Sequence, residues 1–141
     1  MRLALANAHT FKIRWPLDDS EIEIRIEPNY WEWLVKHWPH SFRNLQTAYE
    51  VLRNPNRIFS GLNRPFSNSS NMLCFAGKPK YWFVGESNSN VPFPPGFVYL
   101  VFLNERKSLY EFRPEKADIE DSLSPEDFKN RFGELIWKKP S

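Results

Sequence analysis

A chain of 141 residues with six Trp and twelve Phe has the apolar bulk for one ordinary core and too little length for two, which excludes a disordered chain and points to a single domain spanning residues 1–141. One cysteine, Cys74, excludes an intramolecular disulfide and a cysteine-based zinc site, and no apolar run reaches the roughly 18 residues of a transmembrane helix. The net charge of +2 is small but divided: Trp33 to Gly85 holds seven bases and one acid, and Glu111 to Asp127 holds seven acids and two bases.

At the start, "MRLALANAHTF" carries one charge and a run of small residues, but its apolar part, Leu3 to Ala8, is shorter than the roughly 7 to 15 residues of a leader's core. With a single thiol, a reducing, cytoplasmic location is expected, with no membrane contact. "TFKIRW" and "EIEIRIEP" then read as two strands of an N-terminal hairpin. In the second, Ile22, Ile24 and Ile26 alternate with Glu21, Glu23 and Arg25, the period of a strand covered on one face. "NYWEWLVKHW" has helical spacing, with Asn29 as the expected N-cap and Pro39 as its stop. A second helix is predicted from Phe42 to Arg53, with Phe42, Leu45, Tyr49 and Leu52 inward and Arg43, Gln46, Thr47 and Glu50 outward. Pro55 ends it.

"RIFSG" opens the sheet. "MLCFA" and "KYWFV" are expected to form an apolar hairpin about "GKP", and "FVYLVFL" and "SLYEFR" a second one about "NERK". Ser124 and Pro125 begin a short C-terminal helix, and "ELIWKK" is a candidate last strand. The expected class is α+β: a hairpin and two helices packed on a mostly antiparallel sheet of four or more strands.

Common site signatures are missing, among them a phosphate-binding glycine loop, a GxSxG elbow, HExxH and CxxC. No cofactor is called for. Pro39 lies between His37 and His40, so the two imidazoles do not share a continuous helical face suited to a metal. Metal-independent acid and base chemistry on an RNA backbone remains. It needs a base for the 2′-hydroxyl, an acid for the leaving oxygen and cations for the phosphorane. Candidates for these roles are His37, His40, Arg57, Glu111 and Arg113, with Arg43, Arg53 and Arg64 as substrate-binding cations. Strand alternation puts Leu109, Glu111 and Arg113 on one face. Each also has a plain structural use: a packed histidine, a solvated helix face, or a pair within a strand. Tyr81, Trp82 and Tyr99 are of a type that stacks on bases, but strands this apolar are expected to bury them.

The order of elements, with "LQTAYEVLRNPNRIFSG" ahead of the apolar "FVYLVFL" hairpin, resembles the barnase, EndoU, colicin and RelE group of small ribonucleases, chiefly its phage- and toxin-associated branch. The resemblance covers roughly residues 35 to 113 and implies a site built from His37 or His40, Arg57, Glu111 and Arg113. The last strand, "SLYEFR", departs from the group's pattern of Thr or Ser next to an aromatic, and an acidic tail follows it. RNA is therefore the first partner expected. A non-catalytic module of immunity or adaptor type, docking a protein through the acidic segment 111–127, is the alternative.

Overall fold

The alternating isoleucines lie where a half-covered strand would put them. In the computed structural model, which describes residues 9–37, 41–62, 72–82, 91–104, 107–116 and 133–140, β1 (His9–Arg14) and β2 (Glu21–Ile26) form an antiparallel hairpin. Ile24 and Ile26 are buried while Glu21, Glu23 and Arg25 are exposed. The connecting turn is held by Ser20, whose N–H and hydroxyl both donate to Asp18 Oδ1, at 3.0 and 2.6 Å. Those bonds hold the Asp18 carboxyl below its usual range.

Helix α1 (Pro28–His37) starts two residues earlier than an N-cap at Asn29 would have it. Trp31 N–H donates to Glu27 O at 3.0 Å, so Glu27 stands at the cap and Pro28 takes the first helical position, where a missing N–H costs nothing. Helix α2 (Ser41–Arg53) ends as its Asn-Pro required: Asn54 N–H donates to both Glu50 O and Val51 O, and Pro55 follows. Its buried stripe is wider than expected. Leu45, Ala48, Val51 and Leu52 are buried, and so is Thr47, placed outward by helical periodicity but only 4% exposed.

Strands β3 (Arg57–Leu62), β4 (Met72–Gly77), β7 (Phe97–Leu103), β8 (Leu109–Lys116) and β9 (Glu134–Lys138) form an antiparallel sheet in the order β8-β7-β4-β3-β9. The hairpin expected between "MLCFA" and "KYWFV" does not form. β4 pairs with β3 and β7, and β5 (Tyr81–Trp82) leaves the sheet to pair with β6 (Val91–Pro92). Every residue of β4 is buried, so it needs a long apolar partner on each side, and a two-residue strand cannot serve. The predicted C-terminal helix lies outside the described residues.

One sheet face, carrying Ile58, Phe75, Tyr99 and Val101, packs against α2 and the β1–β2 hairpin to make the main core, with Tyr30 and Trp31 of α1 at its margin. The opposite face carries Phe59, Cys74, Ala76, Leu100 and Phe102, also buried. A register shift between Phe102 and Leu103 puts Leu109 into the main core, away from Glu111 and Arg113, although all three have the same parity in sequence. At the far end of the sheet, buried Ser108 donates to Glu27 Oε1 at 3.0 Å, and Arg25 N–H donates to Lys107 O at 3.1 Å, tying β2 to β8.

Candidate functional site

Strand register places the expected site residues. Arg57 is level with Ala76, Leu100 and Arg113 across the sheet, and Phe59 is level with Cys74, Phe102 and Glu111. Arg57, Glu111 and Arg113 therefore belong to one face, but three strand spacings, roughly 14 Å, separate Arg57 from Arg113. Buried Ala76 and Leu100 fill the interval. Glu111 and Arg113 are brought together. Arg113 Nη1 donates to Glu111 Oε2, its Nε donates to Glu115 Oε2 at 3.4 Å, and its guanidinium carbon lies 5.2 Å from the centre of the Phe102 ring. The acidic segment thus begins by enclosing its own arginine. Burial first, and then the Glu111 carboxylate, push the Tyr30 phenol well above its ordinary range.

The helical candidates sit elsewhere. His37 ends α1 and Arg43 lies in the first turn of α2; neither side chain is among those described. Both helices pack toward the sheet face opposite Arg57, and exposed Arg53 closes α2 on that side. His40 and Arg64 lie outside the described residues.

A different cluster emerges from the topology. β3 begins, β4 ends, β7 begins and β8 and β9 end at the same edge of the sheet, because their pairings join Arg57 to Ala76 and Lys138, Gly77 to Tyr99, and Phe97 to Lys116. The carboxyl end of α2 arrives there too: a Cβ on Gly77 would meet Val51 Cγ1 at 3.2 Å, a tight contact, and Asn54 O at 3.5 Å, an ordinary one. Among the described residues this end gathers seven cations: Arg53, Arg57, Lys78, Lys80, Lys116, Lys138 and Lys139. Against them stand Glu50 and Glu115, both engaged: Glu50 Oε2 accepts from Lys80 N–H at 3.1 Å, and Glu115 holds Arg113.

Between α2 and the strand ends is a pocket of about 160 Å³, lined in part by Glu50, Asn54, Asn56, Lys78, Lys80 and Lys139. Its lining is not uniformly positive, since Glu50 and the carbonyl end of α2 contribute to it. The positive charge lies on its rim, where Lys78, Lys80 and Lys139 are exposed. Such a rim suits an extended anion laid across it better than a small anion sunk into it.

No family model, curated protein or solved structure matches this chain. The functional reading rests on its own residues.

Most of this cluster is unmarked in linear order. Lys78 and Lys80 are two among the seven bases of the basic middle, and Lys116, Lys138 and Lys139 fall within or beyond the acidic segment. The available signals were "GKPKYW", two lysines around a proline at a strand end, and "KK" closing the last strand. Nothing in linear order shows that these ends meet.

Proposed function

We propose that this protein binds RNA, and that the phosphate contacts are made by the cationic end of the five-stranded sheet. The observation that carries the reading is the gathering there, among the described residues, of seven cations against two carboxylates already occupied. Lysines and arginines on such a surface neutralise successive phosphates and release counterions, which makes binding strong at low salt and indifferent to sequence. A cytoplasmic location suits this reading.

Cleavage, implied by the resemblance to small ribonucleases, asks for a base and a cation beside one phosphate. Glu111 and Arg113 satisfy each other and stand roughly 14 Å from Arg57. The geometry therefore favours binding over catalysis by this set of residues. The test is fluorescence anisotropy with labelled RNA at low and physiological salt, together with gel analysis of the same RNA in EDTA. Binding that collapses with salt and leaves the RNA intact is expected. Products ending in 2′,3′-cyclic phosphate would establish an enzyme. No binding at low salt, with a protein partner co-purifying, would overturn the reading in favour of a docking module.

A further inference from the structure

We infer that the cationic end is built for single-stranded rather than duplex RNA, with Tyr81 as the platform on which a base stacks. This rests on the RNA-binding reading above and adds the class of substrate. Among the described residues Tyr81 is the most exposed large hydrophobic side chain, at 52%. One exposed aromatic is ordinary on a protein surface; its position and its mounting are what matter here. It follows Lys80 directly and lies three residues after Lys78, both on the rim of the pocket.

The mounting holds the ring outward. In β5 successive side chains point to opposite sides. Trp82 turns inward, its ring edge-on to Phe93 at 5.4 Å, and Phe93 in turn packs edge-on to buried Tyr99 at 6.2 Å. Tyr81 must then face away from the core. The backbone before it is fastened on both sides: Lys80 N–H donates to Glu50 Oε2 at 3.1 Å, and Phe93 N–H donates to Lys80 O at 3.0 Å. Tyr81 itself pairs with Pro92. Little ordering remains to be done when a ligand arrives, which is the condition for a stacking contact to be worth its full amount.

Trp33, the other large exposed aromatic among the described residues, lacks these features. It lies on α1 and its ring is stacked on Tyr30, with centroids 6.2 Å apart and planes 13° from parallel. Glu50 therefore has a role beyond the helix surface, because it anchors the segment that presents Lys80 and Tyr81. Bases in a duplex are stacked on each other and offer no face to Tyr81, whereas a flexible single strand can lay its phosphates along the lysines and one base on the ring.

The experiment measures anisotropy with a labelled uridine oligomer of about ten nucleotides and with a duplex of equal charge. Wild type is expected to prefer the single strand. Tyr81→Ala and Tyr81→Leu should each lose roughly 5- to 100-fold on the single strand and nothing on the duplex. Tyr81→Trp should keep its affinity, with its added indole quenched on binding. If Tyr81→Ala binds the single strand as wild type does while removal of Lys78 and Lys80 weakens it, the stacking role is overturned and RNA binding stands. If wild type binds no RNA at low salt, both fall.

Discussion

Replacing Lys78, Lys80 and Lys139 together by alanine tests the cationic end most directly. All three side chains are exposed on the rim of the pocket, and among the described residues none has an ion pair to lose. The variant should therefore keep its unfolding free energy to within about 0.5 kcal/mol. The effect on binding follows from counterion release. For a single strand the slope of log affinity against log salt is roughly −0.7 per phosphate neutralised, so contacts by all seven cations would give a slope of roughly −5. Between about 50 and 200 mM salt, that corresponds to roughly a thousandfold loss of affinity. With four cations left the slope falls to roughly −3 and the loss over the same range to roughly fiftyfold. The assay is anisotropy of a labelled oligonucleotide across a salt series. Lys107→Gln is the control, because Lys107 sits in the turn at the opposite end of the sheet and should leave the slope untouched. An unchanged slope in the triple variant, or an equal drop in the control, would refute the assignment.

Three further outcomes test the fold that presents this surface. Phe102→Ala should cost about 3–5 kcal/mol in urea unfolding, since its ring is fully buried in the central part of the sheet and supports Arg113; a loss under about 1 kcal/mol would show that the second sheet face is not a packed core. Arg113→Leu should lower stability by about 1 kcal/mol, because Glu111 and Glu115 lose their shared partner, yet leave RNA affinity unchanged; a large loss of affinity would return Arg113 to the binding site. Burial raises the phenols of Tyr30, Tyr49 and Tyr99, three of the five tyrosines. Groups of this sign support folding fully below about pH 10 and lose that contribution as pH climbs toward their folded values, by up to roughly 1.4 kcal/mol per pH unit for each. Tyrosinate absorbance read beside near-ultraviolet circular dichroism should show these phenols staying protonated while the fold persists. Ionisation of all five near pH 10 in a still-folded protein would contradict this.

The elements most legible in the sequence are those whose signal is periodic or punctuated. The Ile22, Ile24, Ile26 alternation marked β2, Pro55 marked the end of α2, and "FVYLVFL" with "SLYEFR" marked the β7–β8 hairpin. The misreadings share one cause, which is that a neighbour distant in sequence decided the outcome. "KYWFV" looked like a partner for "MLCFA" until β3 and β7 took both of its sides. Leu109 matched Glu111 in parity until a register shift turned it to the other face. Thr47 read as outward on a helix whose packing proved wider than its hydrophobic stripe.

The candidate site divides the same way. Residue type alone established that the chain carries an excess of cations in its middle and lacks the motifs of nucleotide, metal or serine chemistry, because charge and motif are local properties of the chain. Which cations act together was decided only by strand order. An antiparallel sheet brings alternate chain reversals to one end, so Lys78, Lys116 and Lys138, far apart in sequence, meet beside Arg53 and Arg57, while Arg57 and Arg113, level on one face, are held apart by two buried strands.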